Sequence, residues 1–248
     1  MVINKDNGGR FGNQLFGYAF AWLLARALGY ALQSRQFQCF PNTKENLDGK
    51  VVEGPEERVT DTIETFGEIV GRCVGRRVIV RGHFERAEFY LPHRDVLRWL
   101  FDLPERPAAT GKIVFHFRGT DFRGVRKEVP LAFYLEAWDA LGNPRNVIAV
   151  TDDLDYPLVK QFCVKTDAIV QRGRYLDDFG LMMSARALVI SRSTFAWWAA
   201  FLSDAKVIFP VMNGGDTNQF RNLNNPEWTQ IGYDFLRAKK SDKSILSS

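Results

Sequence analysis

An α/β fold, with a parallel sheet covered by helices on both faces, is what this sequence predicts, and three observations predict it. In the second half, short apolar runs at Lys112–Phe117, Asn146–Thr151, Ala168–Gln171, Ala187–Ser191 and Lys206–Pro210 alternate with helix-like segments near Leu131–Leu141, Tyr156–Phe162, Asp177–Ala185 and Thr194–Leu202. Strands that are apolar throughout, rather than at every second position, belong to sheets buried on both sides, and strand–helix alternation makes those sheets parallel. The first half opens the same way, with Val2-Ile3 as a strand, a turn at Asn7-Gly8-Gly9 and a helix. Finally, 248 residues with 46% hydrophobic and 13% aromatic content exclude a disordered chain and suffice for one large core or two smaller ones.

The first helix is expected over Asn13–Leu28, closed by Gly29, and is apolar on nearly every side, so it should lie inside against a sheet. Tyr30–Gln33 reads as the next strand. Residues Pro41–Glu64 are polar and rich in acids, which predicts an irregular surface excursion. Arg77–Arg81 returns as a strand, and helical segments interrupted by Pro92 run to Leu100. Two prolines in Leu103–Gly111 mark a boundary between an N-terminal domain (1–105) and a C-terminal one (106–248). The tail from Lys239 to Ser248 is expected to fray.

A formal net charge of +4 suits an acidic small substrate or weak attraction to nucleic acid, and argues for neither alone. There is no basic stripe interleaved with aromatics, so no nucleic-acid partner is expected. The cysteines Cys39, Cys73 and Cys163 are odd in number and lack CxxC spacing. The histidines His83, His93 and His116 lack metal-ligand spacing, so reduced, buried thiols and no zinc are expected. The N-terminus has no apolar signal region, and Arg26 sits within the first helix, so neither a signal peptide nor a membrane span is expected. The expectation is a soluble protein in a reducing compartment, the cytoplasm.

Chemistry gathers in the loops after strands, where open α/β sheets bind ligands. Ser193 and Thr194 stand at the start of the apolar helix Phe195–Leu202. They can cap it in the ordinary way, or offer hydroxyls and free N–H groups to a phosphate. Trp197 and Trp198 read as core rather than as a sugar-stacking platform. Asp178 lies on the preceding helix, free to reach another part of the same ligand. In His116-Phe117-Arg118-Gly119-Thr120-Asp121-Phe122, alternation puts His116 and Arg118 on one face. Arg118 is either a phosphate fork or half of an Arg118–Asp121 ion pair. Asp152 and Asp153 end a strand and can cap the next helix; a metal site there is not expected. Gly8-Gly9-Arg10-Phe11-Gly12-Asn13-Gln14 lets backbone approach a ligand, and Asn13 can cap the helix or bond a sugar hydroxyl, but its spacing is neither GxGxxG nor a P-loop.

Together these segments resemble a known family. Gly8-Gly-Arg-Phe-Gly-Asn-Gln-Leu-Phe-Gly-Tyr-Ala is similar to the opening motif of α-1,2-fucosyltransferases (glycosyltransferase family 11-like) and, more distantly, of protein O-fucosyltransferases. His116-Phe-Arg118-Gly-Thr-Asp121-Phe122 resembles that family's His-x-Arg-Arg-Gly-Asp-Tyr, and Ser193-Thr-Phe-Ala-Trp-Trp-Ala its Ser-Ser/Thr-Phe-Ser-Trp-Trp. Val80-Arg-Gly-His-Phe-Glu-Arg-Ala-Glu-Phe-Tyr90 resembles its Gly-Tyr-Phe-Gln-Ser-Glu-Lys-Tyr-Phe region. The match runs with interruptions from about Gly8 to Pro210, in the family's order.

The resemblance implies a GT-B-like architecture of two Rossmann-like halves, with an acceptor side in the N-terminal half and GDP-fucose bound by the C-terminal half. It implies inverting, metal-independent transfer of fucose to a glycan hydroxyl, O-2 of a terminal galactose. By position, Arg118 would bind the β-phosphate, Ser193 and Thr194 the diphosphate, and Asp178 the guanine edge, with His116 beside the base. Asn13 and the loop Gly9, Arg10, Phe11 and Gly12 would close over fucose and pyrophosphate; Asp152 and Phe195 complete the donor set. Arg118, Asp121 and Asn13 form the catalytic set, and Asp121 or Asp6 would be the base. Gly119 replaces the family's second Arg and Thr120 its Gly, and the chain is short for the family, which leaves donor and acceptor open. Other readings are a different GDP-sugar transferase, a different fucosyl linkage, and a non-catalytic nucleotide- or glycan-binding protein.

Overall fold

The computed structural model describes residues 1–5, 8–108, 111–121, 128–213 and 222–234, and they fall into two compact units, Met1–Pro104 and Glu105–Ser248. Asp6, Phe122 and the tail from Lys239 lie outside the described residues. Both units are α/β with parallel-dominated sheets flanked by helices, the fold class that the sequence predicts.

The first unit runs β1 (Val2–Asn4), α1 (Phe11–Leu28), β2 (Leu32–Gln33), β3 (Asn46–Leu47), β4 (Glu56–Val59), α2 (Phe66–Cys73), β5 (Arg77–Val80) and, after two short 3-10 turns, α3 (Arg94–Leu100). Its sheet has the order β3-β2-β1-β5-β4, antiparallel only between β2 and β3. α1 is buried from Leu15 to Ala25, as its all-round hydrophobicity demands, and Gly29 ends it in the left-handed region at φ 65°. It begins two residues before the expected Asn13. Gly8 and Gly9, at φ 72° and 90°, turn the chain so that extended Arg10 already occupies the cap position.

The segment 41–64 is not wholly irregular, since it contains β3 and β4. β4 is an edge strand, where charged side chains need not be buried. Glu56 pairs with Arg58 and Arg77, and Glu57 with Arg72 and Arg76. Polar composition therefore concealed a strand whose side chains meet water and one another. α2 was also missed, although Thr65-x-x-Glu68 spells a capping box. The Thr65 hydroxyl accepts the Glu68 N–H at 3.3 Å, while the Glu68 carboxylate accepts the Thr65 N–H at 2.8 Å.

The second unit runs β6 (Ile113–Phe117), α4 (Leu131–Ala140), β7 (Val147–Thr151), α5 (Pro157–Thr166), β8 (Ile169–Gln171), α6 (Tyr175–Met183), β9 (Ala187–Val189), α7 (Thr194–Leu202), β10 (Lys206–Met212) and β11 (Thr229–Tyr233). Every pairing in its sheet is parallel, in the order β11-β10-β9-β6-β7-β8. Counted from β6, this is the 3-2-1-4-5-6 order of a dinucleotide-binding fold. β6 is buried at all of its positions, which explains its unbroken apolar run. β11 escaped the sequence reading because its burial alternates only over its last residues, Ile231 in and Gly232 out.

Trp197 and Trp198 are core. Both are fully buried; Trp197 stacks on Phe201 at 4.9 Å and 11°, meets Trp198 edge-on at 5.2 Å, and donates its indole N–H to the Leu223 carbonyl at 2.7 Å. Of the cysteines, all free, Cys73 alone is fully buried, and burial pushes its thiol up to about 11. Trp197→Ala is expected to destabilise the protein by about 3–5 kcal/mol in denaturant unfolding, from the lost ring volume. A variant of wild-type stability would show that the tryptophan pair is not structural.

Candidate functional site

Neighbouring strands in the second unit lead to opposite sides where the order reverses, between β6 and β9. In sheets of this order ligands bind in the crevice outside the carboxyl ends at that point. His116, the penultimate residue of β6, is buried there, and its Nδ1 lies 2.9 Å from the Ser191 hydroxyl, two residues past β9. Burial brings its pKa down to about 4, against a smaller opposing pull from the Asp152 charge. The imidazole is therefore neutral at neutral pH. Its ring stands 6.1 Å from Phe195, which packs on Phe179 at 5.2 Å, giving the crevice an aromatic wall.

Ser193 occupies the cap position of α7, and Thr194 is the helix's first residue. The expected side-chain cap is absent: the Ser193 hydroxyl makes no capping bond, and its backbone N–H turns back to the Ser191 carbonyl at 2.8 Å. With the hydroxyl unused by the helix, an anion at this helix start would meet hydroxyl and backbone donors together.

Beside the crevice, Asp152 organises the loop after β6. Its carboxylate accepts the Gly119 N–H at 2.7 Å, the Thr120 N–H at 3.3 Å and the Thr120 hydroxyl at 2.7 Å, and pairs with Arg118 Nη1 at 2.7 Å. Asp152 therefore does not cap α5, whose cap position is Tyr156. Arg118 Nε also donates to Asp121 at 2.8 Å. Of its two readings, the ion pair is what is observed: Arg118 is held by Asp121 and Asp152, with its side chain largely buried at the end of β6. Gly119 is required by close approach. A Cβ there would come within 2.8 Å of Asp153 Cβ and 3.1 Å of the Tyr156 ring.

Asp178, in the first turn of α6, is buried, and burial raises its pKa against hydrogen bonds from the Gly173 N–H at 3.0 Å and Gln171 at 3.4 Å. Both bonds reach Oδ1; no hydrogen bond among the described residues uses Oδ2. Oδ1 thereby pins the loop before α6.

In the first unit the order reverses between β1 and β5, and an open cleft lies beyond them. Gly8, Asn13, Lys5, Arg35 and His83 line it. Asn13 does not cap α1; its amide nitrogen lies 3.4 Å from His83 Nδ1. Phe11 packs on Phe37 and Phe40 at 6.0 and 5.9 Å, and Gly12 is buried within α1. Of the glycine loop, then, Gly8, Asn13 and Gln14 reach the cleft, Arg10 takes the cap position and Phe11 packs.

His116, Arg118, Asp121, Asp152, Asp178, Ser193, Thr194 and Phe195 all stand at the carboxyl-end rim of one sheet, whereas Gly9 to Asn13 belong to the other unit. Sequence reasoning missed Ser191 and the buried Arg192, whose Nη1 lies 3.5 Å from the Tyr233 hydroxyl. Polar residues directly after a buried strand were the available signal. Among the described residues no three His, Cys, Asp or Glu side chains cluster as metal ligands, and no helix is long and apolar enough to cross a membrane.

Residues 136–232 match the family described as Glycosyl transferase family 11. The match covers 97 of the 248 residues, all within the C-terminal unit. The match takes in Asp152, Asp178 and Ser193 to Phe195, and stops short of the loops at 8–14 and 116–121. Among solved structures, the chain is similar to Arabidopsis thaliana FUT1 in complex with GDP, at 12% identity and a TM-score of 0.54 over 84% of this chain and 69% of that one. It is also similar to the NodZ alpha-1,6-fucosyltransferase soaked with GDP-fucose, at 16% identity and a TM-score of 0.48 over 82% and 92%. A third is the E. coli ADP-heptose lps heptosyltransferase II, at 12% identity and a TM-score of 0.46 over 93% and 89%. At such identity the FUT1 likeness speaks for the fold. No curated protein matches the sequence.

His116 carries a stability signature. Its folded pKa of about 4 lies below the ordinary 6.5, so between those values the unfolded chain binds a proton that the native one does not. Stability contributed by the neutral imidazole is complete above pH 6.5 and is lost as pH falls towards 4, by up to about 3 kcal/mol. Urea titrations of His116→Asn should lack this component; parallel curves for variant and wild type would refute it. At Gly119, restoring the family's Arg is expected to cost about 1–3 kcal/mol through overpacking. An unchanged melting temperature for Gly119→Arg would show that the Tyr156 contact yields freely.

Proposed function

We propose that the protein is a glycosyltransferase that moves fucose from GDP-fucose to a glycan hydroxyl, O-2 of a terminal galactose, with inversion and without a metal ion. The single observation that carries the reading is the gathering of His116, Arg118, Ser193 and Thr194 at the order reversal of a dinucleotide-type sheet, with Asp178 on α6, which meets α7 through Phe179 and Phe195. The family 11 match supports it, as do the GDP and GDP-fucose complexes of the structures to which the chain is similar.

The donor fits by chemistry. Guanine has adjacent N–H donors on one edge, and Asp178 Oδ2 is an acceptor without a hydrogen bond from the described residues. Phe195 and neutral His116 offer the base an apolar face. The diphosphate meets the Ser193 and Thr194 hydroxyls and the start of α7, where the helix dipole favours negative charge. As the bond from fucose C1 to the phosphate oxygen breaks, charge builds on GDP, and Arg118, held by Asp121 and Asp152, is the preorganised cation that meets it. Asp121 bonded to Arg118 orients the fork; as a base it must first release that guanidinium. Asn13 belongs to the acceptor-side unit and acts on the sugar. Asp6, the other candidate base, is testable by Asp6→Asn.

Thermal unfolding with EDTA present tests donor binding. GDP near 100 times its dissociation constant should stabilise the native state by about 2.7 kcal/mol, a rise of several degrees, with UDP and ADP inert and the shift absent in Asp178→Ala. No shift with GDP would sink the reading. Arg118→Ala should lower turnover by about 10²–10³-fold. Nucleotide binding with no turnover in the wild type would leave a nucleotide-binding protein instead. Asp121→Asn should keep or tighten GDP binding, because it releases a guanidinium N–H; weaker binding would assign Asp121 to the donor contact itself.

A further inference from the structure

Among the described residues, the non-glycine positions at positive φ are Phe84, Asn143, Asn146 and Asp167. Asn and Asp tolerate that region; a bulky aromatic residue adopts it only where its surroundings over-determine it. At Phe84, φ is 50°. One oxygen of Asp61 accepts the Phe84 N–H at 2.6 Å, and the fully buried Tyr90 hydroxyl donates to the Phe84 carbonyl at 2.7 Å. The Phe84 ring stacks on Phe20 at 3.9 Å and 1°. Gly82 closes the turn from the other side: a Cβ there would come within 2.9 Å of the Phe84 ring and 3.0 Å of Asp61 Oδ1.

Packing of the ring accounts for Phe84 but not for its neighbour. The second Asp61 oxygen accepts the His83 N–H at 3.0 Å, so one carboxylate fixes two successive peptide groups. The result is a half-buried histidine on an immobilised backbone, in the lining of the cleft beyond β1 and β5. Its Nδ1 lies 3.4 Å from Asn13 Nδ2 on α1. A carboxamide nitrogen only donates, so Nδ1 accepts, and in the neutral ring Nε2 carries the proton. His83 therefore presents a hydrogen-bond donor; taking up a proton at Nε2 would need the opposite tautomer. Asn4, Gln14 and Ser34 add amides and a hydroxyl to the same lining, Lys5 and Arg35 add cations, and Phe37 adds a ring. Amides, a hydroxyl and an aromatic face are what a hydroxyl-rich sugar ring can meet.

We propose that His83 is a substrate-contacting residue: its Nε2–H donates to an oxygen of the acceptor sugar, and Asp61 is the positioning residue that aims it. The word acceptor rests on the fucosyl-transfer reading; a sugar held by His83 in this cleft does not. His83 thus binds, and the proton of the attacking hydroxyl goes to another group.

Donor-free saturation-transfer NMR against the methyl β-glycosides of galactose, glucose and mannose identifies the sugar that binds most tightly. His83→Ala should weaken that sugar about three- to tenfold, the loss of one neutral hydrogen bond, and His83→Gln, which keeps an N–H donor, should recover most of it. Asp61→Asn sets an amide donor against one of the two peptide N–H groups. It should weaken sugar binding as His83→Ala does, and the two together should cost no more than either alone. In transfer assays with GDP-fucose, His83→Ala should raise the acceptor KM by the same factor and change kcat far less. The GDP-induced thermal shift should stay as in the wild type throughout. Unchanged sugar binding in His83→Ala, or no binding of any of the three sugars by the wild type, would overturn the proposal. So would a fall in kcat of about 10²–10⁴-fold in both His83→Ala and His83→Gln, which would make His83 the base. If Asp61→Asn fails to fold, the two His83 variants decide alone. Absence of any GDP shift, with sugar binding and its dependence on His83 intact, would refute the transferase reading and leave the sugar site standing.

Discussion

Strand order in the second unit reverses between β6 and β9, and the candidate chemistry depends on the gap that this reversal opens. A parallel sheet buried on both faces leaves its strand ends as the places where polar groups can meet a ligand without breaking the ladder. Buried β6 delivers His116 to that gap, and the residues after β9 deliver Ser191 to meet it at 2.9 Å. The hydrogen bond ties the two diverging loops at their origin. Arg118 to Asp121 on one side and Ser193 to Phe195 on the other extend from that tie.

Electrostatics refine what topology positions. Burial keeps His116 neutral, which suits a ring beside a base and excludes it as a resident cation. The cation is Arg118, and two carboxylates share it. An arginine between two acids is rigid but not strongly electropositive, so a phosphate must win through geometry, from hydroxyls and the start of α7 acting together. Asp152 contributes to rigidity in a second way: its carboxylate accepts three hydrogen bonds from Gly119 and Thr120, which stand where the resembled pattern has Arg and Gly. Gly119 brings the loop within reach of Asp152, and Thr120 adds a hydroxyl bond, so the departures from the pattern form a local solution of their own.

Much of this was legible in the sequence where burial is one-sided in its effects. The apolar runs of β6, β7, β9 and β10 and the helix α7 follow directly from hydrophobicity, as does the core role of Trp197 and Trp198. What escaped were elements whose stabilisation is not apolar: β3 and β4, short or charged and paired at an edge, and α2, whose signal was the capping box at Thr65 and Glu68. In the candidate site, residue types at strand ends were readable and their partners were not. Asp152 read as a cap but brackets a loop; Asn13 read as a cap but meets His83, which lies 70 positions away in the chain. Long-range partners depend on register, and no local window contains register.

The same dependence runs through both clefts. In the second unit each polar group at the reversal has a neighbour that limits it: His116 has Ser191, Arg118 has Asp121 and Asp152, and Asp178 has Gly173. Such mutual restraint fits a ligand of fixed shape, such as a nucleotide. In the first unit the floor is held through Asp61, Tyr90 and the strained backbone at Phe84, and Arg35 by Phe37 and Gln14. In both units, then, restraint comes from partners distant in the chain, set in the second by the tie between His116 and Ser191 across the order reversal and in the first by the contacts of Asp61 and Tyr90 with the segment 83–84.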